Sequence, residues 1–143
     1  MAIRTIRKEK DPCLYKKCRE VTVFDERLSQ LIDDMFDTMY DADGVGLAGP
    51  QVGVLRRVVV IDIGGPEGEK APVEMVNPRI LESSGCQGGM EGCLSFPGKS
   101  GYVERPNYVK GKASVFCIGW PGSSGRDCTS DPRQHHPEQR SRR

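Results

Sequence analysis

The strongest constraint on this chain lies between Asp25 and Gly44. Apolar residues recur at Leu28, Leu31, Ile32, Met35, Phe36, Met39 and Tyr40. Steps of three and four place all of them on one side of an α-helix, because a turn takes 3.6 residues. Glu26, Arg27, Gln30, Asp33, Asp34 and Asp37 fill the gaps and are assigned to the wet face. Asp25 is placed to cap the start, its carboxylate accepting from an early backbone N–H. The helix is expected to stop within Asp41-Ala42-Asp43-Gly44, with Gly44 allowing the turn. A stripe this continuous is core.

The strand signals are shorter. Val58-Val59-Val60-Ile61, inside Val54 to Ile63, is the clearest, and Gly64-Gly65-Pro66-Glu67-Gly68 closes it as a loop. Pro72 to Leu81 reads as extended, broken by a turn or bulge at Asn77-Pro78. Tyr102 to Arg105 reads as a short strand, and residues 1–24 read as mostly irregular. These elements define an α+β fold, one amphipathic helix packed on small, mainly antiparallel sheets.

A length of 143 residues suits one domain with a modest core. Charged residues at 29% and hydrophobic ones at 36% exclude a disordered or membrane-embedded chain. No apolar run approaches the ~18 residues of a membrane span. No secretory signal is read at the N-terminus, so the cytosol is the expected compartment. The six cysteines include no Cys-x-x-Cys pair, and free thiols are expected. A net charge of +1 hides an asymmetry: residues 110–143 carry seven Lys/Arg against three Asp/Glu. A basic end on an acidic body suits an RNA- or ribosome-binding arm, or a segment foreign to the fold.

Two segments carry the chemistry. Gly44-Val45-Gly46-Leu47-Ala48-Gly49-Pro50-Gln51 follows the helix and precedes a strand, the reverse of a dinucleotide fingerprint. It reads as a backbone strip that a peptide or small substrate approaches closely, or as a glycine-rich turn. Glu91-Gly92-Cys93-Leu94-Ser95-Phe96-Pro97 sets a cysteine between glycine and a short apolar run. Cys93 is open to three roles: a nucleophile needing a base, a metal ligand needing partners, or a buried thiol needing neither. Glu91 is equally a base, a partner of the site or a surface charge.

Asp43 to Gly53, taken with Glu91 to Gly98, resembles two of the three signature motifs of the peptide deformylase family, in order and suitably separated. The resemblance covers roughly residues 4 to 110. Gly49 stands where that family usually has alanine and is expected to loosen the turn. The resemblance implies hydrolysis of the formyl group from the N-terminal formyl-methionine of new polypeptides. It implies a divalent metal, Fe2+ expected with Zn2+ or Ni2+ possible, that activates water and polarises the formyl carbonyl. Cys93 matches the thiolate ligand. The Leu94 backbone N–H and the Gln51 side-chain amide match the donors to the developing oxyanion. Val45 and Gly46 match the strip that holds the peptide as an added strand. The implied partners are formyl-methionyl nascent peptides and the ribosome, with no DNA or membrane.

The third motif, His-Glu-x-x-His on a C-terminal helix, is absent. The only histidines are His135 and His136, which adjacent on a helix point about 100° apart, and Pro137 would obstruct that helix. From Pro121 to Arg143 the only member of the hydrophobic set is Cys128. A deformylase-like domain over 1–110 is therefore expected, its C-terminal metal-binding helix missing. A divergent, disordered tail is expected over 111–143, with a change of reading near Lys110–Gly111. The reading is a deformylase-type metallohydrolase with impaired turnover. The alternatives are a non-catalytic protein binding N-terminal peptides, ribosome or RNA, and a thiol hydrolase built on Cys93.

Overall fold

A computed structural model describes residues 2–114. The helix α1 spans Glu26–Asp41, and the Asp25 carboxylate accepts from Leu28 N at 3.0 Å. The strands are β1 (Gly46–Ala48), β2 (Val58–Ile61), β3 (Val73–Ser84), β4 (Gln87–Cys93), β5 (Phe96–Arg105) and β6 (Tyr108–Ser114). Short 3₁₀ turns lie at Pro12–Tyr15 and Gly49–Val52. Four strands form one antiparallel sheet in the order β1-β2-β3-β6, and β4 and β5 form a separate hairpin. The boundary expected at residue 110 lies inside β6, and Cys117, Cys128, His135 and His136 lie outside the described residues.

The helical stripe does what its period requires. Leu28, Leu31, Ile32, Met35, Phe36 and Met39 are buried against Leu47, Val58, Val60 and Val76 of the sheet. Alternation along β2 sends Val58 and Val60 to the helix, as a period of two demands.

One helix residue differs from expectation. Asp34, assigned to the wet face, is only 4% exposed. It accepts from Ala2 N at 2.9 Å and Gln30 Nε2 at 2.7 Å, and pairs with Arg4 at 2.9 Å. Burial pushes its carboxyl up, but these bonds outweigh it and hold the group below the usual range. Thr38, also buried, accepts from Arg4 N. The N-terminal segment is thus strapped along α1. At the other end the left-handed residue is Asp43 (φ 53), not Gly44. Gly44 instead lets Leu94 come close: a Cβ there would lie 2.6 Å from Leu94 Cδ1 and push that side chain aside.

The β4–β5 hairpin is the main element the sequence reading missed, apart from Tyr102 to Arg105. Every residue of β4 is exposed, so no apolar alternation announces it. Its signals lie across the strands, in Met90 opposite Tyr102 and in the Glu91–Arg105 ion pair.

Glu74 on β3 gives the fold a pH dependence. Burial, helped by the charge of Asp33, pushes its carboxyl up to about 7 from 4.5. A raised acid pKa means the folded chain holds a proton that the unfolded chain releases. Stability is complete below pH 4.5 and falls as pH rises toward 7. The loss is about 1–2 kcal/mol after solvent screening at this half-buried position. Glu74→Gln is expected to remove that decline. Urea unfolding of both proteins at pH 5 and pH 8 checks it, and equal pH slopes would count against the assignment.

Candidate functional site

The site forms where the edge of the sheet meets the turn of the hairpin. β1 is an edge strand, and its partner residues are Ile61, Val60 and Val59 of β2. Asp62 N donates to Val45 O at 2.9 Å. In an antiparallel ladder inward bonds alternate along the strand, so Val45 and Leu47 bond toward β2. Gly46 and Ala48 therefore direct their N–H and C=O groups to the outer edge. The Ala48 N–H is taken by Gln51 Oε1 at 3.0 Å. The Gly46 groups face the open side, where no strand pairs with β1 among the described residues. Val45, just before, is 63% exposed.

The Gly49–Val52 turn aims Gln51. With its carbonyl oxygen held by Ala48, the Gln51 amide turns Nε2 toward Ser95 Oγ at 3.2 Å and Cys93 Sγ at 3.7 Å. The amide is thereby oriented from both ends. Gly49 tightens this turn rather than loosening it, since a Cβ would stand 2.7 Å from the carbonyl oxygens of both Val54 and Arg56.

Cys93 ends β4, and Leu94 and Ser95 make the turn into β5. Cys93 is an exposed free thiol, not a buried one. Ser95 is 1% exposed and fixes the turn against Gln51. Leu94 packs its side chain over Gly44, so the two motifs meet directly. The structure thus brings Gln51, Cys93 and Leu94 to one locus, with Gly46 and Val45 running away from it along β1.

Four further residues support the site and were given no role by sequence reasoning. Ser95 has just been described. Arg105 grips both Glu91 oxygens at 2.7 Å and holds that carboxyl below its usual range. Glu91 is therefore an ion-pair partner that braces the hairpin. Lys8 Nζ donates to Leu94 O at 3.3 Å, and Arg7 N donates to Gln51 O at 2.7 Å. No local pattern marks Arg7 or Lys8, because their partners lie far along the chain.

The expected metal centre is not supported. Among the described residues no group of three or more His, Cys, Asp or Glu side chains is placed to hold a metal ion. Around Cys93 stand an amide and a hydroxyl, Gln51 and Ser95, and the nearby carboxylate of Glu91 is committed to Arg105. The expectation of a bound Fe2+, Zn2+ or Ni2+ with Cys93 as a ligand is corrected accordingly. A lone thiolate offers one of the three or four donors that a tightly held ion needs.

Comparison with known proteins agrees with this architecture. The polypeptide deformylase family profile matches residues 3–114. A peptide deformylase of Agathobacter rectalis is 60% identical over 112 residues, covering 78% of this chain and 68% of that protein. Peptide deformylase 1 of Clostridium acetobutylicum is 60% identical over 113 residues, covering 79% of this chain and 72% of that protein. The crystal structure of a peptide deformylase from Legionella pneumophila superposes with a TM-score of 0.73 at 50% identity, covering 79% of this chain and 66% of that one. That from Thermotoga maritima superposes with a TM-score of 0.75 at 43% identity, covering 80% and 75%. No helix among the described residues is long and apolar enough to cross a membrane. By its sequence, its α+β fold and the shared arrangement of helix and sheets, the chain belongs to the peptide deformylase family of hydrolases.

Proposed function

We propose that this chain binds the N-terminal residues of formyl-methionyl peptides along the free edge of β1, and that its removal of the formyl group is impaired. The observation that carries the reading is the outward-facing Gly46 backbone, in line with the Gln51–Cys93–Leu94 locus. A peptide laid there gains strand-type backbone bonds at little conformational cost to the protein. Its formyl end sits beside Ala48, where Gln51 Nε2 and the Leu94 N–H are the donors assigned to the carbonyl oxygen. Donors held in place before the reaction stabilise developing charge without reorganising. Gln51 meets that condition because Ala48 and Ser95 fix its two ends. Impairment follows from the missing His-Glu-x-x-His segment, whose glutamate moves the protons. Nascent chains at the cytosolic ribosome are the natural source of such peptides, and the basic stretch 110–143 supplies charge suited to ribosomal RNA.

Peptide binding tests the reading. Gly46→Pro removes the outward N–H and puts a ring where the ligand strand would lie, while the bonds from Val45 and Leu47 to β2 remain. A formyl-Met-Ala-Ser probe is expected to bind the natural chain and to lose at least about tenfold in affinity with Gly46→Pro. Unchanged affinity in that variant would remove β1 from the reading.

A further inference from the structure

We propose that Tyr15, Lys16, Lys17, Arg19 and Arg56 form a surface that binds single-stranded RNA. It uses neither the β1 edge nor the basic stretch 110–143, so it stands whether or not peptides bind at β1. Charge is the first observation. Residues 9–20 include three carboxylates, and each is committed: Glu9 to Lys99 at 2.8 Å, Asp11 to Arg7 at 3.4 Å and Glu20 to Arg79 at 3.2 Å. Lys16, Lys17 and Arg19 are exposed and have no ion pair among the described residues. Folding adds a fourth cation. Arg19 N donates to Leu55 O at 2.9 Å and Arg57 N donates to Arg19 O at 3.0 Å, which sets Arg19 beside Arg56 in a parallel bridge. Arg56 is likewise exposed and without an ion pair among the described residues. Like charges on paired backbone repel, and a string of phosphates relieves that repulsion.

The second observation is aromatic. Tyr15 closes the 3₁₀ turn Pro12–Tyr15 and is 72% exposed, yet its Oη donates to Glu9 O at 2.7 Å. The ring is therefore fixed at its hydroxyl, directly before Lys16 and Lys17. Single strands are bound by this combination: bases stack on a held ring while the phosphates follow the cations. A duplex keeps its bases stacked on one another and offers the ring none. RNA is the strand that presents unpaired bases, in its loops and ends. An anionic membrane surface suits the patch less well, because such binding also buries apolar area. Tyr15 is the one exposed large apolar side chain within 15–19 and 54–57.

The test titrates the full chain into a fluorescein-labelled RNA of about 12 nucleotides with no self-pairing, by fluorescence anisotropy over a range of salt. Each phosphate neutralised on a single strand adds about 0.7 to the slope of log affinity against log salt. The Lys16→Gln, Lys17→Gln, Arg19→Gln, Arg56→Gln variant is expected to lower that slope by about 2–3 and the affinity at least about tenfold. The Arg27→Gln, Lys70→Gln, Lys110→Gln, Lys112→Gln variant removes the same charge elsewhere and is expected to keep the slope. Tyr15→Leu is expected to lose about tenfold in affinity with the slope intact, the scale of one stacked base. Urea midpoints no lower than the natural chain's, expected where repulsion is removed, show that the patch variant is folded. Equal losses from the two charge variants overturn the proposal, as does tighter binding of the same RNA in duplex form. Unchanged affinity in Tyr15→Leu removes the stacking and with it the single-strand reading. Capture by phosphatidylserine vesicles without RNA binding assigns the surface to membranes and overturns the proposal.

Discussion

A formyl-methionyl peptide is expected to lose its formyl group about 10²–10⁴-fold more slowly with this chain than with the Agathobacter rectalis peptide deformylase, the range attached to losing a positioned general acid–base group. The group at issue is the glutamate of His-Glu-x-x-His, which this sequence lacks. Its two histidines, His135 and His136, are adjacent and followed by Pro137, so they cannot reproduce an i, i+4 pair on one helix face. Gln51 is held at both ends by Ala48 and Ser95, so under the proposed reading peptide affinity and turnover should separate. Release of formate at equal protein concentrations, with divalent metal supplied to both proteins, measures the difference. A rate within about tenfold of the relative's would show that the chain completes its site by other residues. Translating the other two frames of the coding DNA addresses the cause. A His-Glu-x-x-His helix in either supports a change of reading near residue 110, and its absence from both removes that explanation.

The largest expected loss of stability is at Asn77, where Asn77→Ala should cost about 2–4 kcal/mol. Asn77 sits at φ 53 within β3, at the register shift between Val76 and Arg79. Its side chain accepts from Val21 N at 2.8 Å and donates to Val21 O at 2.9 Å, tying the N-terminal segment to the sheet. Its own N–H bonds Arg57 O at 2.8 Å. Alanine loses both side-chain bonds, leaves the Val21 groups unpaired, and meets the steric cost of a left-handed backbone. Asn77→Gly relieves the backbone cost alone and should recover about 1 kcal/mol of the loss. Against a usual reserve of ~5–15 kcal/mol either change is large. Urea unfolding midpoints for the two variants check the order. Equal midpoints would mean that the left-handed backbone contributes nothing.

How much of this was legible beforehand depended on how local each signal was. The helix was, because seven apolar residues at one period leave no other solution, and Asp25 marks its start. The Asn77-Pro78 dipeptide announces a turn or bulge, and the structure has a register shift there, but nothing local shows that the asparagine reaches back to Val21. The hairpin of β4 and β5 is not announced by the sequence because neither strand buries a regular face, and its side-chain pairs, such as Met90 with Tyr102 and Glu91 with Arg105, join residues twelve and fourteen apart. Asp34 was misplaced for the same reason. The groups that bury it, Ala2 and Arg4, are some thirty residues away.

The two motifs followed the same rule. Residue types and spacing alone determined the helix, the glycine-rich strip, the cysteine segment, the family they resemble and the missing third motif, because each is a property of neighbouring residues. Tertiary structure decided the rest. Only folding lays Leu94 over Gly44, points Gln51 Nε2 toward Cys93 and Ser95, commits Glu91 to Arg105 and leaves the Gly46 backbone at an open edge. All but the Glu91–Arg105 pair, which the hairpin sets, depend on where α1 and the sheet hold segments distant in sequence. The same geometry leaves the described residues without a metal centre, because ligation needs several donors converging on one point, and convergence is a property of three-dimensional placement.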